Sequence, residues 1–247
     1  MGDNMVIIDK FESRPISLVS FDIDGTITRW KDVRSFLQKA LNYLGVPYKE
    51  EYLNGLFLAM QDRETTLITT GIWDEQCYSY FLEERIPVLR EYGHTGEELR
   101  TIMYEMEPEE TYISSEVKSE IEKLAKLYKL VCYTNWSLAQ ARKKLDKYDL
   151  SKYFETIYTP EIIFSKHTKT GFLHLAYANN IAPSKIAHVG DSRSEIRSAK
   201  GAGCAAIYLD YGIKNEDDIT EERMKTILAA DASVNSFSDI RKVLTKK

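Results

Sequence analysis

The feature that most constrains the fold is a short apolar run that ends in two carboxylates. Residues 16–21 read Ile-Ser-Leu-Val-Ser-Phe, and Asp22-Ile23-Asp24-Gly25 follow directly. An apolar run of this length predicts a buried β-strand, and the Asp-Gly pair predicts the turn that leaves its carboxyl end. Ligands of open α/β sheets bind at that end of the strands. Because neighbouring carboxylates raise each other's pKa, a divalent cation bridged to an anionic substrate would stabilise the pair.

Further apolar runs predict more strands, and helical patterns alternate with them. Strands are expected at residues 5–8, 127–133, 155–159, 185–190, 204–209 and 231–234. Helices are expected at residues 115–127, 137–147, 171–180, 193–201 and 217–229. This alternation predicts an α/β fold with a doubly wound, Rossmann-like parallel sheet and helices on both faces.

A long helical block interrupts the alternation after the first strand. Helices are expected there at residues 31–44, 49–60, 73–85 and 96–106. The block is too long for a crossover between two strands. We therefore predict an inserted helical cap over residues 29–112 and a catalytic core made of residues 1–28 and 113–247. The acidic segment 107–110 is interpreted as a solvated connector at the end of the cap.

Basic residues of the predicted cap are candidates for substrate contact. In each case a solvated surface position is the preferred interpretation, because charged side chains are rarely buried. These residues are Arg63, Arg85, Arg90, His94 and Arg100.

Charge and cysteine content narrow the class of protein. The chain has 247 residues and a formal net charge of −5, whereas nucleic-acid binders usually carry a basic surplus. Its three cysteines are widely spaced and lack metal-ligand spacing, which favours buried thiols in a reducing compartment. No signal peptide or membrane span is apparent. We expect a cytoplasmic monomer or homodimer with no nucleic-acid or membrane partner.

Two polar residues follow the strand predicted at 127–133. Thr134 supplies a hydroxyl, and Thr134 and Asn135 supply backbone N–H groups at a strand–helix junction. Such groups can hold phosphate oxygens. The alternative is that Thr134 or Asn135 merely caps the helix that begins near Ser137.

A second pair of acids follows the strand predicted at 185–190. Asp191 comes directly after Gly190, and Glu195 lies one helical turn further on. Asp191 is therefore expected at the same sheet edge as Asp22. The alternative is a helix N-cap aspartate with an acid in the first turn.

A lysine in the loop before the next helix could complete the site. Lys166 could neutralise both a carboxylate and a phosphate group. Taken alone, a solvated surface position is the more frequent fate of a lysine.

In this order, the four segments resemble the motifs of the haloacid dehalogenase superfamily of hydrolases. The strongest matches are Asp22-Ile23-Asp24-Gly25-Thr26 and the segment 190–203, which is similar to the family's Gly-Asp-Ser-x-x-Asp-Ile-x-x-Ala-x-x-Ala-Gly. Thr134 after an apolar strand, and Lys166 six residues before Phe172, match the two intervening motifs. The inserted block lies where the family carries its helical type-one cap.

The resemblance implies a role for each matched residue. Asp22 would be the nucleophile that forms an aspartyl-phosphate, and Asp24 the general acid and base. Thr134, Asn135 and Lys166 would bind the phosphoryl oxygens. Mg²⁺ would be bound by the Asp22 carboxylate, the Asp24 backbone carbonyl and Asp191, with Glu195 in the second shell or near the metal.

Two departures from the family pattern leave alternatives open. Glu195 stands where the family usually has aspartate, so its role differs or depends on its longer side chain. His167 follows Lys166 where the family often has proline. Lys169 therefore competes with Lys166 for the phosphate contact, although the spacing to Phe172 favours Lys166.

The resemblance implies a Mg²⁺-dependent phosphatase. Its substrate would be a small phosphomonoester such as a sugar phosphate, a phosphoglycolate-like compound or a nucleotide. The family's dehalogenases lack an acid/base aspartate at the position of Asp24, which favours phosphatase chemistry. The alternatives are a phosphomutase of the same superfamily, a non-catalytic phosphometabolite-binding protein and a phospho-accepting signalling domain.

Overall fold

The chain forms two compact units, each with its own packing. The computed structural model describes residues 6–9 (backbone), 15–71, 74–213 and 218–245. Unit 1 comprises residues 1–29 and 113–247, and unit 2 comprises residues 30–112.

Unit 1 is built on a mostly parallel sheet. The strands of the described chain, in order, are β1 (Val6–Asp9), β2 (Leu18–Phe21), β3 (Arg29–Trp30), β4 (Thr111–Tyr112), β5 (Lys129–Tyr133), β6 (Thr156–Tyr158), β7 (Ile186–Gly190), β8 (Ala205–Leu209) and β9 (Ala232–Val234). The main sheet has the order β1-β9-β8-β7-β2-β5-β6. Among the described strands of this main sheet, only the β1–β9 pairing is antiparallel. The predicted α/β, Rossmann-like sheet is therefore confirmed, with an antiparallel edge strand added.

Helices cover both faces of this sheet and make up most of unit 2. Unit 2 contains α1 (Val33–Tyr43), α2 (Glu50–Thr70), α3 (Glu75–Arg85), α4 (Val88–Glu91) and α5 (Gly96–Glu110). Unit 1 contains α6 (Ser115–Ala125), α7 (Leu138–Lys147), α8 (Lys169–Ala178), α9 (Arg193–Gly201), α10 (Glu221–Ala229) and α11 (Phe237–Leu244).

Strand β2 lies between β5 and β7, each of which ends one residue beyond the level at which β2 ends. Phe21, the last residue of β2, is in register with Cys132 of β5 and Val189 of β7. All three residues are fully buried. The residues that follow them therefore emerge side by side from the carboxyl edge of the sheet.

The acidic segment 107–110 differs from the expectation of a solvated connector. It forms the last turn of α5, and Glu107 and Glu110 are buried. Lys39 of α1 pairs with Glu110 at 2.8 Å, which compensates one of the buried charges. The expected surface position is likewise wrong for Arg100, whose side chain is only 11% exposed and pairs with Glu75.

Unit 2 packs its helices closely at two glycines. A Cβ atom added to Gly55 of α2 would lie 2.3 Å from the Arg85 carbonyl oxygen. At Gly96 of α5 the corresponding distance to the Ser79 carbonyl oxygen is 1.9 Å. Both glycines therefore let helices approach more closely than a side chain would permit.

Several element boundaries also differ from the sequence-based expectation. Helix α2 continues to Thr70 instead of ending near residue 60, and α4 and α11 were not predicted. Leu127 was expected inside both a helix and a strand, but it lies in the turn between α6 and β5 and is exposed. None of the helices in the described part of the chain has the length and apolar character needed to span a bilayer.

Candidate active site

The turn after β2 presents two aspartates in different directions. Asp22 continues the pairing of β2, because its N–H donates to the Val189 carbonyl at 3.0 Å. The chain then folds back tightly: Gly25 N–H donates to Thr28 O at 2.8 Å, and Thr28 N–H donates to Ile23 O at 2.7 Å. Gly25 has a φ of +83°, a conformation that glycine adopts without a steric penalty.

Three carboxylates from two strand ends meet beside this turn. Oxygens of Asp22, Asp191 and Glu195 all lie within 4.8 Å of one another. The backbone of Gly25 packs directly against this cluster, because an added Cβ would lie only 1.8 Å from Oδ2 of Asp191. The sequence-based expectation that Asp191 reaches the turn of Asp22 therefore matches the geometry.

One buried lysine lies within the carboxylate cluster. Lys166 Nζ is 2.5 Å from Oδ1 of Asp22 and 2.6 Å from Oε2 of Glu195. Lys169, its rival in the sequence, is the exposed first residue of α8. The fold thus brings Lys166, and not Lys169, to the two acids.

Burial and mutual repulsion perturb the acids of this cluster. Desolvation, opposed by Lys166 and reinforced by Glu195, raises the pKa of Asp22 to about 7. Burial and the charges of Glu195 and Asp22 also raise the pKa of Asp191. For Glu195, burial is outweighed by Lys166 and His188, so its pKa is lowered. Repulsion within the cluster therefore destabilises the ionised forms of Asp22 and Asp191, whereas Glu195 remains ionised.

The chemistry of this donor set fits a hard divalent cation. When all three carboxylates are ionised, the one ammonium group of Lys166 leaves two negative charges in excess among these four side chains. Carboxylate and carbonyl oxygens are the ligands that Mg²⁺ and Ca²⁺ prefer. A cation among these oxygens would lower the pKa values that burial has raised.

Glu195 binds two groups: the strand-to-helix turn after β7, and Lys166. Its side chain is fully buried, and Oε1 accepts from the Ser192 N–H at 2.7 Å. Ser192 is the N-cap of α9, so the alternative in which Asp191 caps this helix is wrong. The longer glutamate side chain thus joins a helix cap to the lysine of the cluster.

Thr134 and Asn135 lie at the expected strand end. Thr134 is buried, and its Oγ1 accepts from the Trp136 N–H at 3.3 Å. Oδ1 of Asn135 accepts from Ser165 Oγ and from the Lys166 backbone N–H, each at 3.2 Å. Because Ser137 is the N-cap of α7, the alternative that Thr134 or Asn135 caps this helix is wrong. Asn135 instead anchors the loop that carries Lys166.

Sequence reasoning missed two buried residues next to the site. The first is Lys144, whose Nζ lies 2.7 Å from both carboxylate oxygens of Asp24. It occupies a helical position beside the buried Ala141 and Leu145 of α7. A lysine on an apolar helix face was the available signal.

The second is His188, in the middle of β7. Its Nε2 lies 3.3 Å from Oε2 of Glu195, and its Nδ1 lies 3.2 Å from Oγ of Ser20. Burial lowers the pKa of this histidine, although Glu195 opposes the effect. A histidine inside an otherwise apolar strand was the signal in this case.

Comparison with known proteins identifies relatives for nearly the whole chain. The family model of haloacid dehalogenase-like hydrolases matches residues 16–203, well over half of the chain. A phosphoglycolate phosphatase from Escherichia coli is 29% identical over 229 residues, which cover 83% of this chain and 84% of that protein.

Solved structures show the same fold. A HAD-hydrolase from Bacillus subtilis bound to magnesium superposes with a TM-score of 0.73 at 17% identity, covering 95% of this chain and 100% of that one. A predicted phosphoglycolate phosphatase from Haemophilus somnus gives a TM-score of 0.66 at 21% identity, covering 94% and 99% of the two chains.

Proposed function

The chain belongs to the haloacid dehalogenase-like hydrolase family, and we propose that it is a Mg²⁺-dependent phosphatase for a small phosphomonoester. The observation that carries this proposal is the convergence of Asp22, Asp191, Glu195 and Lys166 at one sheet edge. In this proposal unit 1 is the catalytic core, and unit 2 is the cap that was predicted at residues 29–112.

The cation would be held by the carboxylates of Asp22 and Asp191 and by the backbone carbonyl of Asp24. When bound, Mg²⁺ neutralises charge on the phosphoryl oxygens and orients the group for in-line attack. Glu195 lies next to these acids, but its contacts to Lys166 and Ser192 favour a supporting role.

Asp22 is the proposed nucleophile. One of its carboxylate oxygens attacks phosphorus, the bond from phosphorus to the ester oxygen breaks, and Asp24 gives that oxygen a proton. Attack by an anion on an anion requires screening, and Lys166 lies 2.5 Å from Asp22 to supply part of it. The products of this step are the alcohol and an aspartyl-phosphate on Asp22.

Water completes the reaction. Asp24, now a carboxylate, takes a proton from the water molecule as its oxygen attacks phosphorus. The bond between phosphorus and the Asp22 oxygen breaks, which releases inorganic phosphate and restores the nucleophile. The Thr134 hydroxyl and the backbone N–H of Asn135 are the proposed contacts to the phosphoryl oxygens, with Lys166 as their cationic partner; the Thr134 N–H already donates to the Tyr158 carbonyl.

The relatives suggest the first substrate to try. Phosphoglycolate phosphatases from Escherichia coli and Shigella dysenteriae align with 83% of this chain. We therefore place 2-phosphoglycolate at the head of a panel that also contains sugar phosphates and nucleoside monophosphates.

Substitution of the proposed nucleophile tests the function. Asp22→Asn keeps the side-chain shape but removes the nucleophilic charge, so phosphate release on the best substrate should fall by about 1,000-fold or more. Asp149→Asn is the matched control, because Asp149 is exposed and has a φ of +54°, which asparagine also tolerates. Full phosphate release by Asp22→Asn, or none by the wild-type protein on the whole panel with Mg²⁺, would refute the proposal.

A phosphomutase would use the same nucleophile, so the fate of the phosphoryl group must also be followed. For a phosphatase, inorganic phosphate should equal the ester consumed. Transfer to a second hydroxyl of a sugar phosphate, with slow phosphate release, would instead assign the mutase.

A further inference from the structure

Asp24 is held by contacts to both of its carboxylate oxygens. Lys144 Nζ lies 2.7 Å from Oδ1 and 2.7 Å from Oδ2, and Thr28 Oγ1 donates to Oδ1 at 3.1 Å. Within the described chain Oδ1 thus takes two hydrogen bonds and Oδ2 takes one. Contacts to both oxygens fix the plane of the carboxylate, which a single hydrogen bond would leave free to rotate.

Lys144 approaches Asp24 from the protein interior. The lysine side chain is fully buried, whereas the Asp24 side chain is 18% exposed. Nζ also lies 4.9 Å from the centre of the Trp136 ring, where a cation is attracted by the aromatic face. The ammonium group is therefore held behind the carboxylate, and the exposed side of Asp24 remains open to a reactant.

The two aspartates of the turn use different lysines. Asp22 contacts Lys166, from the loop before α8, whereas Asp24 contacts Lys144, from α7. The Asp24 carboxylate is also absent from the group of three acids that lie within 4.8 Å of one another. The turn thus separates a nucleophile in the acid cluster from a second acid that is oriented independently.

We infer that Lys144 is a positioning residue, which orients the Asp24 carboxylate so that Oδ2 exchanges the proton with the ester oxygen and then with water. This inference rests on the proposed phosphatase function. Lys144 itself neither gives nor takes a proton and touches no reacting atom. Its contribution is geometric, and proton transfer in the transition state is sensitive to such geometry.

A lysine that positions Asp24 should change how the rate depends on the leaving group, which a purely structural lysine would not do. Proton donation matters most when the departing oxygen is strongly basic. If Asp24 loses its orientation, the hydrolysis of phosphate esters of weakly acidic phenols should therefore slow more than that of esters of strongly acidic phenols. A lysine that only stabilises the fold would slow all esters of one shape by the same factor.

The test uses phenyl phosphate and a series of ring-substituted phenyl phosphates that ends at 4-nitrophenyl phosphate. In Lys144→Met, kcat/KM should fall by about 100-fold on phenyl phosphate and much less on 4-nitrophenyl phosphate. Log(kcat/KM) should thus depend more steeply on the acidity of the leaving phenol than in the wild type. Lys143→Met is the control, because Lys143 is an exposed neighbour on α7 and its loss should leave the slope unchanged.

The Asp24→Asn variant shows whether Lys144 acts through Asp24. The double variant with Lys144→Met should be no slower on phenyl phosphate than Asp24→Asn alone. Additive losses, or an equal loss on every ester, would overturn the inference. Inactivity of the wild-type protein on all esters would instead refute the proposed function, so the two failures are distinguishable.

A second measurement does not require Lys144 to be replaced, in case its variants fail to fold. The structure of Asp22→Asn with a bound phosphomonoester should show Asp24 in contact with Lys144 while Oδ2 lies within hydrogen-bond distance of the ester oxygen. An Asp24 that has left Lys144 in this complex, or whose Oδ2 points away from the ester oxygen, would overturn the inference.

Discussion

Gly190 lies so close to Glu195 that a Cβ atom at position 190 would be 2.4 Å from the glutamate Cδ. The buried Glu195 carboxylate is therefore packed against bare backbone at the end of β7. The same carboxylate contacts Lys166, which in turn contacts Asp22. A methyl group at position 190 should thus act on the proposed nucleophile through two intermediate side chains.

We expect Gly190→Ala to lower kcat/KM by about 100-fold, because Glu195 must move and Lys166 loses one of its anchors. Gly201→Ala is the matched control at the end of α9, where an added Cβ meets no atom within 4 Å. It should leave activity unchanged and the protein as stable or slightly more so. Steady-state kinetics and thermal melts distinguish the two, and wild-type kinetics in Gly190→Ala would contradict the role assigned to Glu195.

Metal binding should raise the melting temperature of the protein, which can be measured without an activity assay. A ligand that binds only the folded state at 100 times its Kd stabilises it by about 2.7 kcal/mol. Near-saturating Mg²⁺ should therefore raise the Tm of unit 1 by roughly 5–10 °C.

Removal of one acid provides the variant for this measurement. In Asp191→Asn the gain from Mg²⁺ should largely disappear, while the metal-free protein should be at least as stable as the wild type because one repulsive charge is gone. Glu155→Gln, which removes an exposed carboxylate paired with Lys129, should retain the gain. An Asp191→Asn protein that responds fully to Mg²⁺ would exclude Asp191 as a ligand.

The pH dependence of stability should be sensitive to Glu120. This buried residue accepts from Lys123 and from Arg241 of α11, each at 2.7 Å. Burial alone would raise its pKa, but these two partners outweigh the effect and lower it. Because the folded state binds the proton more weakly than the unfolded state, the stabilisation is present at neutral pH and is lost on acidification.

Glu120→Gln should lower the free energy of unfolding by about 1 kcal/mol at pH 7. The difference from the wild type should shrink as the pH falls below about 4.5, the ordinary pKa range of glutamate. Glu122→Gln, on the exposed side of α6, should change stability by less than about 0.5 kcal/mol. Urea titrations at several pH values measure both, and a constant gap down to pH 3 would contradict the role of ionised Glu120.

The sheet was predictable because its signal is local. Runs such as Leu18–Phe21 and Ile186–Gly190 are apolar, short and followed by turn residues, so strand positions and the convergence of Asp22 with Asp191 could be inferred. The strand pattern does not distinguish Lys166 from Lys169, since both precede or begin the same helix; only the family spacing to Phe172 favoured Lys166. In the structure, Asn135 holds the Lys166 backbone from a different strand end.

Buried charges were the main failure of sequence reasoning. Glu107, Arg100 and Lys144 are of residue types that are rarely buried, so a solvated surface was the reasonable expectation for each. For two of these residues the partner lies far away in the chain: Lys144 contacts Asp24, and Arg100 contacts Glu75. Pairing at long sequence separation leaves no local pattern, although the apolar neighbours of Lys144 on α7 were a signal.

The two ends of unit 2 lie side by side. Strands β3 and β4 form a two-stranded sheet, and the Lys31 N–H donates to the Glu110 carbonyl at 2.8 Å. Paired strands are separated by about 4.8 Å, so the chain returns almost to the point from which it departed. Topologically, this block is an excursion between β2 and β5, which are neighbours in the main sheet. Genetic exchange of this one continuous segment would therefore leave the order of the strands in the main sheet unchanged.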